Sequence, residues 1–240
     1  GSDAGGSGFK QIKLPSGVIV AGSSATYTVS QNGSYSFVVY DNAGNSRTIS
    51  EQVTKIDKEA PGGGILGNPV NWTNKDATLT LNAADTGGAG VKGVYLPNGT
   101  FVSTTTTASY VATQNGTYTF RTVDFAGNET SVSVTVTKID KVAPTVASVG
   151  GNPTQWTNQS QTLRVTGTDA LSGVTAIKRP DNTVINGVVT DYTVHQNGGY
   201  VFTLTDAAGN SATYTVDVTK IDKGNPSQSS VNTSVNNNPQ

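Results

Sequence analysis

Six aspartates have the residue type and the recurrence that chemistry requires: Asp57, Asp85 and Asp124, then Asp140, Asp169 and Asp206. Carboxylates and backbone carbonyls are the hard oxygen donors that Ca²⁺ takes, about 6–8 of them at roughly 2.3–2.6 Å. The plainer use of an Asp in a loop is to cap its own turn by accepting amide hydrogen bonds. No dense Asp-x-Asp loop argues for the ion outright. Trp72 and Trp156 each lie in an Asn-rich turn and offer a flat face on which a sugar ring can stack. Covering an edge of the core is the commoner use of such a ring, so that reading is preferred. Nucleophilic catalysis has no support. His195 is the only histidine, its counterparts are Ser30 and Thr113, and there is neither a cysteine nor a Ser-x-x-Lys spacing. The chain therefore reads as non-enzymatic, with no catalytic residues and no required cofactor.

Composition narrows the partners. Net charge is −1 and charged residues make up 13% of the 240. A nucleic-acid partner calls for a basic stripe, which is missing. Apolar runs such as Val18-Ile19-Val20-Ala21 are far too short to span a bilayer, so no membrane insertion is expected. Neither a basic start nor an apolar run opens the chain, so no signal peptide is read there. With no cysteine, disulfides and thiolate metal sites are excluded.

The elements that must position these residues repeat. Gln114-Asn115-Gly116 leads through Tyr118 and Phe120 to Asp124-Phe125-Ala126-Gly127-Asn128, and the same block runs from Gln31 to Asn45 and from Gln196 to Asn210. Asp57, Asp140 and Asp222, each in a Lys-Ile-Asp-Lys run, are spaced 83 and 82 residues apart. A period that long is a whole domain rather than a solenoid unit. Four segments follow: a partial module at 1–58, complete modules at 59–142 and 143–224, and a tail at 225–240 in which Asn238-Pro239-Gln240 resembles Asn152-Pro153-Thr154-Gln155. The first segment matches only the second half of a repeat. Its completion by the tail of another molecule is one expectation, and a boundary drawn inside a module is the preferred one.

Within 59–142 the pattern predicts about seven short strands: near Ile65-Leu66, then 77–83, 91–96, 101–103, 108–113, 117–123 and 130–137. No helical period persists. Alternation puts Tyr118, Phe120, Thr122 and Asp124 on one face, as it does Tyr35, Phe37, Val39, Asp41 and Tyr200, Phe202, Leu204, Asp206. Tyr and Phe are expected to plug the core. The Tyr sits where immunoglobulin-like sandwiches keep a tyrosine corner. Gly44, Gly127 and Gly209 are expected to supply the left-handed residue of a tight hairpin. Glu51 departs from its apolar counterparts Val134 and Val216, so it is either a buried acid or a group on an unprotected face.

Repeat three strings these features together as Asn152-Pro153, Trp156-Thr157-Asn158, Asp169, Ser172-Gly173-Val174, Asn197-Gly198, Tyr200, Phe202, Asp206, Ala208-Gly209-Asn210 and Ile221-Asp222-Lys223. That pattern resembles the tandem bacterial Ig-like repeats of large secreted and wall-attached proteins. The resemblance implies an all-β fold of tandem immunoglobulin-like β-sandwich modules in an extended string. It also implies an extracellular setting, on the bacterial cell surface or secreted. In such a sandwich the loop after the second strand, the loop between the last two strands and the incoming linker share one end. Asp57, Asp85 and Asp124 would then meet at one junction, and Asp140, Asp169 and Asp206 at the next. The expected role is a structural stalk or adhesin shaft whose neighbours are the repeats of its own chain, stiffened by Ca²⁺ at the junctions. The alternative is a binding module for a glycan or a host-surface protein that uses the Trp turns.

Overall fold

A computed structural model describes residue 3 and residues 5–227. Most of the tail, with its Asn238-Pro239-Gln240 match, lies outside the described residues. Among the described residues all regular structure is β-sheet, and two isolated bridges are parallel. The chain divides into two compact units, one of residues 1–67, 79–110 and 117–134, the other of 68–78, 111–116 and 135–240. The second sequence repeat contributes to both.

The first unit opens with β1 (Phe9–Lys13), β2 (Ile19–Ala21), β3 (Gly33–Asp41) and β4 (Ser46–Val53). They form one four-stranded sheet in the order β2-β1-β3-β4. The second repeat, which the two units divide between them, holds β5 (Gly62–Leu66), β6 (Ala77–Ala84), β7 (Val91–Tyr95), β8 (Phe101–Ser103), β9 (Thr107–Ala112), β10 (Gly116–Asp124) and β11 (Glu129–Val136). These make a three-stranded sheet, β5-β6-β9, and a four-stranded sheet, β11-β10-β7-β8. The strands fall within a residue or so of their expected places, except that β5 starts three residues early. The reason for the match is that side chains alternate along a strand. β6 reads buried, exposed, buried, half-buried, buried, exposed, buried, exposed, and its Leu79 and Leu81 are fully buried, as are Val94 and Phe120.

The second unit holds β12 (Thr145–Gly150), β13 (Gln161–Thr168), β14 (Val174–Lys178), β15 (Val184–Asn186), β16 (Val189–Val194), β17 (Gly198–Asp206) and β18 (Ser211–Val218). A three-stranded sheet, β12-β13-β16, and a four-stranded one, β15-β14-β17-β18, share a core of Leu163, Val165, Val174, Ile177, Val194, Phe202, Leu204, Val216, Val218 and Ile221. This is a seven-stranded sandwich.

The tyrosine corner forms: Tyr35 Oη donates to the Gln31 carbonyl at 2.7 Å, and Tyr200 Oη to the Gln196 carbonyl at 2.8 Å. The expectation that Tyr and Phe both plug the core is corrected in part. Phe120 and Phe202 are wholly buried, whereas Tyr118 and Tyr200 are half-buried, and the Tyr200 hydroxyl is committed to the backbone at the rim. A phenol reaching a carbonyl keeps its polar end where that carbonyl is. Phe37 is only half-buried, because among the described residues no three-stranded sheet lies over β1–β4. Gly44, Gly127 and Gly209 have φ of +93°, +93° and +90°. An L side chain there is disfavoured by about 1–2 kcal/mol. Glu51 is exposed, which settles its two readings in favour of an open face.

Candidate functional site

Three locally encoded devices assemble the aspartates. The first is the hairpin after β10 and β17. Asp124 accepts from the Asn128 amide and the Asn128 side chain, each at 2.8 Å. Asp206 accepts from the Asn210 amide at 2.8 Å and its side chain at 2.7 Å. Opposite Asp124 and Asp206 the register shifts by one, which leaves Lys92 of β7 and Thr175 of β14 as the extra, bulged residues. The second is the loop after β6 and β13. Asp85 accepts from Gly87 N at 3.1 Å and Gly90 N at 2.6 Å, and Asp169 from Leu171 N at 3.0 Å and Gly173 N at 2.8 Å.

The third device is a latch that sequence reasoning missed. Asn115 Oδ1 accepts from Ile139 N at 2.8 Å while its Nδ2 donates to Ile139 O at 2.9 Å. Asn32 holds Ile56 in the same two-pronged way, at 2.8 and 2.9 Å, and Asn197 accepts from Ile221 N at 2.8 Å. A side-chain amide here stands in for a strand partner. The signal was present as a constant spacing of 24 residues between each Asn-Gly asparagine and its Lys-Ile-Asp isoleucine. Thr73 then pairs in parallel with Ile139, and Thr157 with Ile221. Pinning the isoleucine presents the next residue, Asp57 or Asp140, toward the loops.

Within the first unit this gathers Asp57, Asp85 and Asp124, with one oxygen of each within 4.8 Å of the others. Within the second it gathers Asp140, Asp169 and Asp206 to the same tolerance. Asp57 Oδ2 also accepts from Ala89 N at 2.7 Å, and Asn128 Nδ2 reaches the Asp57 carbonyl at 3.3 Å. Asp140 Oδ2 accepts from Ser172 N at 3.0 Å, and Asn210 Nδ2 reaches the Asp140 carbonyl at 3.0 Å. Gly87 packs so tightly on the Asp57 carboxylate that a Cβ there would overlap it. Asp124, Asp140 and Asp206 are buried, at 0%, 1% and 3% exposure, and among the described residues none of the six makes an ion pair.

Burial pushes the Asp124 carboxyl up, but hydrogen bonds from the Asn128 side chain and from the amides of Asn128, Gly127 and Ala126 outweigh it, so the group titrates below its ordinary value. Asp140 behaves likewise: burial raises it, but the Ser172 hydroxyl with the amides of Val142 and Ser172 outweighs that and leaves it below its ordinary value. The Ser172 Oγ lies near enough to favour the ionised carboxyl but makes no well-formed hydrogen bond, and it is buried. Both carboxylates are therefore ionised at neutral pH with no cation of the chain beside them. The sign for stability follows. A folded-state value below the unfolded value of about 3.9 means the unfolded chain binds more protons as the medium is acidified. Stability from Asp124 and Asp140 is present above about pH 4 and is lost as pH falls through their folded values. Melts between pH 6 and pH 3 in EDTA should show a falling melting temperature, and Asp124→Asn should flatten the curve. A wild-type melting temperature constant over that range would contradict the assignment.

One of the two tryptophans departs from expectation. Trp156 is 64% exposed, so it is no cover for the core. Lys220 Nζ stands 4.7 Å from its ring centroid, and Lys138 Nζ 4.8 Å from that of half-buried Trp72. Cation–π attraction to the linker lysine holds each ring at the surface. His195 is exposed, with Nδ1 at 2.8 Å from Ser160 Oγ. Among the described residues no helix is long and apolar enough to cross a membrane.

Comparison with known proteins adds the following. Residues 17–58 match the family model described as bacterial Ig-like domain. Among solved structures, the chain is similar to SGBP-B of the Bacteroides ovatus mixed-linkage glucan utilization locus, in complex with a mixed-linkage heptasaccharide. The identity is 16%, over 90% of this chain and 61% of that one, with a TM-score of 0.20. It is also similar to dimeric latent PorU from Porphyromonas gingivalis, at 12% identity over 84% of this chain and 25% of that one, with a TM-score of 0.23. The chain thus spans less than two thirds of either structure, and likeness at these TM-scores carries no functional weight. No curated protein matches. The tyrosine corners, the seven-stranded sandwich and the family match agree: residues 17–58 are similar to the bacterial Ig-like domain, and the all-β fold of the chain is that of Ig-like sandwich modules.

Proposed function

We propose that this chain is a non-catalytic spacer segment of a bacterial extracellular surface protein, with modules at 59–142 and 143–224 whose linkers are stiffened by Ca²⁺. The observation that carries the reading is the twofold recurrence of a latched linker aspartate beside two loop aspartates, each cluster holding at least one wholly buried carboxylate without a counter-ion. Like charges so close together repel, and a divalent cation removes that cost. The donor set fits Ca²⁺: it is all oxygen, it is anionic, and in the second cluster it includes the uncommitted Ser172 Oγ. Asp57, Asp85 and Asp124 would hold one ion and Asp140, Asp169 and Asp206 another, each tying a linker to two loops of its own unit. Few charges and many hydroxyls give a surface that suits a spacer and steers ligands little.

Thermal melts in Ca²⁺ and in EDTA test this. At a free Ca²⁺ of about 100 times Kd, each site adds roughly 2.7 kcal/mol, which raises the melting temperature by several degrees for a domain of this size. Asp124→Asn combined with Asp206→Asn should abolish the response. Identical melts with and without Ca²⁺ would sink the proposal.

The exposure of Trp156 favours a second reading, a carbohydrate-binding face. An aromatic ring exposed at the surface offers a flat face against which a pyranose can pack. On a glycan array, Trp156→Ala should lose any signal while keeping the wild-type melting curve. A signal that survives the substitution would place binding elsewhere.

A further inference from the structure

We infer that the outer face of the sheet β11-β10-β7-β8 in the second repeat is a glycan-binding site, built by Tyr95, Phe101, Arg121 and Glu129 for the flat ribbon of a neutral sugar chain with equatorial hydroxyls. Tyr95 of β7 stands in the middle of a row. It pairs with Arg121 of β10 on one side and with Phe101 of β8 on the other. The Arg121 guanidinium lies over the Tyr95 ring, its Cζ 3.9 Å from the centroid, and the Phe101 ring centroid is 4.7 Å from that of Tyr95. Arg121 Nη1 also donates to Glu129 Oε2 of β11. Neighbouring strands are about 4.8 Å apart, so the row crosses four strands over roughly 14 Å. Gly93 lets the Phe101 ring fold down onto the sheet, since a Cβ there would come to 2.6 Å from Phe101 Cζ. Phe101 stays 37% exposed, and the Arg121 and Glu129 side chains are partly open to solvent.

The fold does not call for this row. The same register positions hold Lys178, Val184 and Thr203 in the third repeat, and Lys13, Ile19 and Val38 in the first. Ser211 and Ser46 stand where Glu129 does, and Ala176 and Gln11 where Gly93 does. The sheet forms from those ordinary residues equally well, and the second repeat is flanked by described chain on both sides. The chemistry of the row selects its ligand. A pyranose with equatorial hydroxyls is apolar on its two C–H faces and polar round its rim. An aromatic ring laid on a flat sheet packs against the C–H face. The stacked guanidinium offers N–H donors to the rim, and the Glu129 carboxylate accepts from it. Their charges cancel, so an acidic sugar gains little here. Thr119 Oγ1 and Ser133 Oγ, 2.8 Å apart, add hydroxyls to the same face. An apolar protein surface would strip water from the Arg121–Glu129 pair without replacing its hydrogen bonds, whereas sugar hydroxyls replace them. This site is distinct from the Trp156 ring and does not rest on it.

Isothermal titration of the full chain with cellohexaose, a flat neutral ribbon, tests the proposal. The wild type should bind with a Kd on the order of 1 mM or tighter. Phe101→Val and Arg121→Thr each install the residue that the third repeat holds in the same register, so both variants should keep the wild-type melting curve. Each should weaken binding about tenfold, the loss of one stacking partner. Trp156→Ala should bind like the wild type, which separates this site from the Trp156 face. No binding by the wild type up to about 10 mM cellohexaose would overturn the proposal. So would Phe101→Val and Arg121→Thr variants that bind as the wild type does, or binding that Trp156→Ala abolishes.

Discussion

Phe202→Ala should cost about 3–5 kcal/mol, seen as a large drop in the urea midpoint of the third repeat, whereas Phe37→Ala should cost well under half as much. The two residues occupy the same place in the repeated block and the same register against the next strand. Their surroundings differ. Phe202 is fully buried, with Tyr192 edge-on at 6.1 Å, inside a core closed by Leu163 and Val165 of β13. Deleting the ring leaves a cavity that a rigid sandwich fills poorly, so the transfer loss and the cavity loss add. Phe37 keeps its edge-on partner Tyr27, also at 6.1 Å, but is half-buried on a sheet face that lines an open groove with Phe9, Ile12, Val39 and Ile49. Water already reaches that ring, so less is lost. Equal costs at the two sites would mean that the first sheet is covered in solution.

Gly151→Ala should destabilise the third repeat by roughly 2–4 kcal/mol, more than its position in a surface turn suggests. The backbone there has φ +75°, and an added Cβ would overlap the Thr162 carbonyl oxygen and come to 2.9 Å from its carbon. Those atoms belong to a strand paired on both sides, to β12 and to β16, so they cannot step aside as a side chain would. Gly127→Ala is the control. Its φ is +93° but no atom lies within 4 Å of the added carbon, so only the backbone term of about 1–2 kcal/mol remains. Denaturant melts of the two variants separate the steric part from the conformational part. A Gly151 variant no worse than the Gly127 variant would show that β13 yields.

Much of this was legible from local pattern. Alternation of Leu79 and Leu81, the Asn-Gly and Asp-x-Ala-Gly-Asn turns and the recurrence of Lys-Ile-Asp set the strands, because period-two burial and left-handed turns are properties of a few adjacent residues. Parity placed Asp41 and Asp124 inward: Asp124 is buried, while Asp41 is only half-buried. The convergence of Asp57 with Asp85 and Asp124 was legible only through a sandwich plan, since no two of them are neighbours in sequence.

What the sequence determined by itself is the all-β character, the period and the set of acidic residues that recur with it. Tertiary structure decided the rest. It settled which aromatic ring is core: the rim carbonyl captures the Tyr35 and Tyr200 hydroxyls, leaving the plug to Phe120 and Phe202. It turned Trp156 outward, where the Lys220 ammonium meets the ring. It also made Asn115 a latch rather than a turn residue, because a carboxamide can pair with a backbone 24 residues away only when the fold brings that backbone alongside. Alternation and turn chemistry are short-range and survive in one dimension. Hydrogen-bond partners and ring faces depend on distances that exist only once the sheets have packed.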